Sequence, residues 1–132
     1  MAHYALLDDN NIVTGVIVGN DETDQTYDWE QYYGNFHNCT CKRTSYNTVH
    51  NTHKTNKTPF RGNYAGIGSK FYSGVGTDGV FMSPKPYDSW VMSTADCTWT
   101  APSAMPTDGN SYEWDEDNQT WINLSGSSSG GV

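Results

Sequence analysis

His3-Tyr4-Ala5-Leu6-Leu7-Asp8-Asp9-Asn10-Asn11-Ile12-Val13-Thr14-Gly15-Val16-Ile17-Val18 is two apolar runs around a polar tetrad. The runs have strand composition and the tetrad has turn chemistry, so the stretch predicts a β-hairpin. The second run is almost continuous in β-branched residues and is expected to be the most buried strand. Gly15 within it predicts a bulge or a close neighbour.

The same design recurs near the end of the chain. Trp90 to Trp99 and Tyr112 to Trp121 each read strand, polar turn, strand, with an aromatic residue at either end. Such rings form cross-strand pairs. Ala101 to Gly109 joins the two as an extended segment with a turn at Asp108-Gly109. Between the first hairpin and these, Asp24 to Tyr33 predicts one short helix, capped by Asp24 or Thr26 and stopped by Gly34. Trp29, Tyr32 and Tyr33 then share a face, as core packing. The expected fold is mainly β, a small loop-rich domain of hairpins with at most one short helix.

With 132 residues, 14% of them Phe, Trp or Tyr, the chain can bury one modest core through a few large rings. A single domain over 1–124 is expected, followed by a Ser/Gly-rich tail at 125–132. The formal charge of -8 argues against general nucleic-acid binding. The charge is unevenly placed: residues 31–77 hold Lys42, Arg43, Lys54, Lys57, Arg61 and Lys70 and no Asp or Glu. A basic middle between acidic ends suits docking on an acidic neighbour or on a sister subunit; the alternative is a solvated loop.

A strand is expected at Cys39–Tyr46. From Asn47 to Lys57 the only aliphatic residue is Val49, too little to offset ordering entropy within the chain. Residues 37–62 are therefore expected to form an extended basic arm. Phe60 to Trp90, dense in Gly, Pro and aromatic residues, is the hub that follows, with the chemistry of contact rather than catalysis. The partner-binding residues expected from these features are Lys42, Arg43, Lys54, Lys57, Arg61, Tyr64, Phe71 and Tyr72.

Candidate chemistry is thin. His37, Cys39, Cys41, His50 and His53 are zinc-compatible in type, but their spacing matches no standard zinc pattern, and polar loop histidines with small buried thiols explain them better. Gly62 to Lys70 resembles a phosphate loop only superficially, since Ser69 precedes Lys70 and no helix follows. Asp8 to Asn11 and Asp115 to Asn118 lack the Gly and distal Glu of a calcium loop and read as hairpin turns. No nucleophile elbow or activated cysteine is evident, so neither catalysis nor a cofactor is expected. Three cysteines make no disulfide framework, and no segment reads as a signal peptide or membrane span. Free thiols in a reducing cytoplasm are expected.

Three passages carry a resemblance across most of the chain: Met1 to Val18; Lys42 to Asn47 with Asn63-Tyr64-Ala65-Gly66-Ile67-Gly68; and Pro84-Lys85-Pro86-Tyr87-Asp88-Ser89-Trp90 with Tyr112 to Trp121. In these the chain resembles small virion-associated proteins of marine tailed bacteriophages, including cyanophages. It departs from them after Gly68 and in the Ser/Gly tail. The resemblance implies a structural role in the particle, made in the host bacterial cytoplasm and located in the virion, with no catalytic residues. The expected function is a capsid decoration or cement protein on the major capsid protein lattice, self-associating within the particle, with no membrane and no specific nucleic acid as partner. The alternatives are a tail, baseplate or fibre-associated virion protein and, from another class, a carbohydrate-binding β module using Trp90, Trp99, Trp114 or Trp121.

Overall fold

The computed structural model describes residues 2–21, 23–55 and 57–125. Apart from Ser125, the expected tail at 125–132 lies outside the described residues.

The opening hairpin forms: β1 (Ala2–Leu7) pairs antiparallel with β2 (Val13–Gly19). The Asp8 carboxylate accepts from the Asn10 and Ile12 amides at 2.8 and 3.0 Å. Asn11 closes the turn at φ 64°, in the left-handed region that Asn tolerates. Leu6 faces Gly15 and Leu7 faces Val13, which leaves Thr14 as the extra residue of a bulge beside Gly15.

β3 (Thr40–Thr44) pairs with the other side of β1, giving the order β2-β1-β3. This corrects the expectation for β2. The central strand β1 holds Tyr4, Ala5 and Leu7 at 1% exposure or less, whereas Val18 on the edge strand β2 is 56% exposed. A β-branched run favours a strand, but the strand's place in the sheet decides its burial.

Alternation along the strands gives the sheet two different faces. On one, Ala2, Tyr4 and Cys41 cluster with Ile17, Trp29 and Tyr33. On the other, Ala5, Leu7 and Val13 pack with Ala65, Phe71 and Phe81.

The first face is covered by α1 (Trp29–His37). Its cap is Asp28, whose carboxylate accepts from the Gln31 amide at 3.2 Å, and not the expected Asp24 or Thr26. Those two close a turn just before the helix, with Asp24 accepting from the Thr26 amide and hydroxyl at 3.0 and 2.6 Å. Gly34 does not stop the helix either; Asn38, at φ 55°, is the C-cap. A Cβ on Gly34 would stand 2.7 Å from the Cys39 carbonyl oxygen, so Gly34 lets the chain double back from α1 into β3. A backbone carbonyl cannot step aside as a side chain can. Gly34→Ala is therefore expected to destabilise by about 1–3 kcal/mol despite alanine's better helix propensity. A lower urea midpoint at unchanged slope is the expected readout; an unchanged or higher midpoint would show that the turn has slack.

The second face is covered by the hairpin of β6 (Lys70–Tyr72) and β7 (Val80–Met82), whose Phe71 and Phe81 rings lie 5.0 Å apart. The loop before β6 is stitched to β2. The Gly68 amide donates to the Val13 carbonyl at 2.9 Å, and the Val13 amide to the Ser69 carbonyl at 2.7 Å.

Residues 37–62 are not an extended arm, which corrects a second expectation. Besides β3, they form the small hairpin of β4 (Thr48–Val49) and β5 (Thr52–His53), turned by His50 and Asn51 at φ 50° and 57°. Thr44 and Thr48 are 2% and 0% exposed. Their hydroxyls accept from the amides of Ala65 and Phe60 at 2.9 and 3.1 Å. Counting apolar residues underrates a segment that is tied down by hydroxyl and backbone hydrogen bonds.

Residues 1–124, expected as one domain, fall into two compact units. One comprises residues 1–84 with 93–98, and the other residues 85–92 with 99–132. The second unit holds most of the hairpin of β8 (Val91–Ser93) and β9 (Thr98–Thr100), and the whole hairpin of β10 (Tyr112–Asp115) and β11 (Thr120–Asn123). Among the described residues the architecture is thus mainly β, built from small antiparallel hairpins with α1 packed against the first sheet. Among the described residues no helix is long and apolar enough to cross a membrane.

Candidate functional site

The helix and the edge strand together present an exposed apolar face. Tyr32 and Phe36 lie one helical turn apart, 45% and 76% exposed, and Tyr27, 57% exposed, stacks on Tyr32 at 5.3 Å. Beside them a groove of about 370 Å³ is lined by Ile17, Val18, Tyr32, Tyr33, Phe36 and His37. Close packing fixes this face. A Cβ on Gly19 would stand 2.6 Å from the Tyr33 ring, so glycine there lets the ring lie this near to β2. The Tyr33 hydroxyl oxygen accepts from the Asn20 amide at 3.0 Å, while the Tyr4 hydroxyl donates to the Asn20 carbonyl. Contiguous exposed rings on a rigid platform are the usual mark of a contact surface.

The basic residues divide by role. Arg61 belongs to the fold: its side chain is 10% exposed and donates to Glu30 at 2.6 Å, to the Arg43 carbonyl at 2.9 Å and to the Asp78 carbonyl at 2.9 Å. Glu30 also accepts from the Arg43 amide at 2.7 Å. The Arg43 guanidinium lies 3.9 Å from the Phe60 ring centroid. Phe71 is a core residue, and the Lys42 ammonium lies 5.7 Å from its ring. Tyr72 meets the Lys70 ammonium at 5.4 Å, and Tyr64, 37% exposed, meets the His3 ring edge-on at 5.9 Å.

Lys54 and Lys57 stay exposed. Lys57 helps line a groove of about 550 Å³ with His3, Arg43, Tyr46, His53 and Asp21. The Lys54 ammonium lies 5.6 Å from the Tyr46 ring. The eight expected contact residues are thus dispersed between core and surface.

The zinc-compatible residues do not converge. Among the described residues no group of three or more His, Cys, Asp or Glu is placed to hold a metal. Burial, and secondarily the Glu30 charge, pushes the Cys41 thiol up to about 12, and burial also raises Cys97. Cys39 is half-buried and, like the other two, a free thiol. His37 ends the helix, His50 sits in the β4–β5 turn, and His53 Nδ1 accepts from the Thr55 amide at 3.1 Å.

In the second unit the tryptophans pack on one another. Trp114 and Trp121, opposite each other in the β10–β11 register, have centroids 5.1 Å apart, and Trp90 stands edge-on to both at 6.0 and 6.1 Å. Trp114 is 5% exposed; Trp90, Trp99 and Trp121 are half-buried. A sugar-stacking role for Trp114 therefore conflicts with its place in the core.

Glu116 ties this cluster together. It accepts from the Ser89 hydroxyl and amide at 2.6 and 3.0 Å and from Trp114 Nε1 at 2.8 Å. The Ser89 hydroxyl and then the Trp114 N–H hold its carboxyl below the ordinary value of 4.5. A depressed folded-state value means a stabilising contribution that is complete above the ordinary carboxylate range. It is lost as pH falls through the folded value. Glu116→Gln is expected to flatten the acid limb of the stability–pH curve read by tryptophan fluorescence; an unchanged acid limb would assign that limb to other carboxylates.

Phe36 and Tyr27 are the exposed rings that sequence reasoning did not single out. Tyr32 and Phe36 carry the i, i+4 signal, but the expected helix ended before Phe36. No family model, curated protein or solved structure matches this chain.

Proposed function

We propose that this chain is a structural protein of a tailed-phage virion, a decoration protein that docks on the major capsid protein lattice through its α1/β2 face. One observation carries the reading: Tyr27 stacks on Tyr32, and Phe36 follows one helical turn on, so exposed rings run along α1 beside the groove that Ile17 helps to line. Large, rigid rings of this kind give contact area at low cost in side-chain entropy. The resemblance to virion-associated proteins supplies the setting. The chain acts by contact rather than by catalysis, and a repeating shell offers the same contact to every copy.

Quantitative mass spectrometry of purified particles tests the assignment. A copy number comparable to that of the major capsid protein is expected. A number fitting a tail, baseplate or fibre would move the protein there, and absence from particles would overturn the reading.

A further inference from the structure

We infer that a second copy of this chain docks the acidic β10–β11 hairpin of its second unit into the basic groove beside Tyr46. The inference holds whether or not the chain binds a capsid, because it concerns two surfaces that the chain itself carries.

The groove runs between residues 43–47 and 57–60. Arg43 and Lys57 line it, Lys54 stands by Tyr46 at its margin, and His3 and His53 add ring nitrogens, against one lining carboxylate, Asp21. Residues 31–77 contain no Asp or Glu, so the stretch that supplies Lys54 and Lys57 is basic throughout. Tyr46, 52% exposed, supplies apolar surface in the lining.

The hairpin has the complementary composition. Residues 85–92 and 99–132 carry Asp88, Asp108, Glu113, Asp115, Glu116 and Asp117 against Lys85 alone. Along β10, Glu113 and Asp115 alternate with the core residue Trp114 and so project from the other side of the hairpin. Asp117 is exposed in the turn. Ile122, opposite Glu113, is 42% exposed and Leu124 is 45% exposed. Acid beside aliphatic on the hairpin thus matches base beside aromatic in the groove, which is the complementarity that sets register and partner choice. The two surfaces differ, so the contact is heterologous and propagates head to tail unless its rotation closes a ring.

Sedimentation velocity on the purified chain tests this. The weight-average mass is expected to rise with concentration at low ionic strength. It should return toward the monomer near about 1 M salt, where the Debye length is about 3 Å. The pair Lys54→Glu with Lys57→Glu, and the pair Glu113→Lys with Asp117→Lys, are each expected to lose at least tenfold in self-association. Mixing the two variants is expected to restore it, because each reversed surface then meets its complement. Thermal melts matching the wild type show that both variants fold. A chain that stays monomeric at every concentration, association indifferent to salt and to both reversals, or a mixture that fails to reassociate would each overturn the inference.

Discussion

Arg61→Met is expected to destabilise the first unit by about 2–3 kcal/mol, whereas Lys57→Met should stay within about 0.5 kcal/mol of wild type. In sequence both residues read as members of one basic arm; their surroundings separate them. Arg61 is 10% exposed in its side chain and makes contacts to Glu30, the Arg43 carbonyl and the Asp78 carbonyl. Methionine fills comparable volume and keeps some of the contact with Phe60 and Phe71, whose centroids lie 4.8 and 5.4 Å from the guanidinium. What it cannot replace is the charge that faces Glu30.

Glu30, 29% exposed, retains the Arg43 amide as a donor and some water. The expected loss therefore falls below the 3–5 kcal/mol typical of breaking a fully buried pair. Urea denaturation of the two single variants checks the contrast. A double-mutant cycle with Glu30→Gln should return a coupling of about 1–2 kcal/mol. Equal and small effects at Arg61 and Lys57 would return Arg61 to the solvated surface.

That contrast marks where the sequence was legible. The opening hairpin and the two Trp-bracketed hairpins are local objects: each turn lies between the strands it joins, and Asp8 or Asp115 announces it. The Glu30–Arg61 pair spans 31 residues, and no spacing rule distinguishes a lysine left in water from an arginine closing over a distant carboxylate. Likewise β3 reaches β1 only after the helix intervenes, so Thr44 looks like an arm residue until Ala65 donates to its hydroxyl. The exposed face of α1 is half legible. Trp29, Tyr32 and Tyr33 were placed on one helical face, and Trp29 and Tyr33 do pack inward against the sheet. With Gly34 taken as the stop, however, Phe36 fell outside the helix and the outward continuation of that face was lost.

Phe36→Asp is the variant expected to separate docking from folding most sharply. At 76% exposure Phe36 contributes little to the core, so a change within about 0.5 kcal/mol in unfolding free energy is expected. On the particle the consequence is different. An aspartate at the centre of an aromatic contact must be buried without a partner or hold the two surfaces apart, and either loses well over about 1.4 kcal/mol, which is tenfold in affinity. On the proposed docking each copy would occupy its own lattice position, so the loss should appear directly as occupancy. Wild-type and variant chains, loaded in competition onto particles assembled without the protein and counted by mass spectrometry, are expected to differ at least tenfold. Tyr32→Ser, which shortens the same face without adding charge, should fall between them. Equal loading of wild type and Phe36→Asp would remove the α1/β2 face as the docking surface, while a variant that fails to load because it melts early would be recognised in the unfolding curve. Tyr32 also packs on Tyr27, Trp29 and Tyr33, so Tyr32→Ser is the less stable of the two variants; the loading order wild type, Tyr32→Ser, Phe36→Asp is then the signature of a contact face, because a merely structural role would make loading follow melting temperature instead.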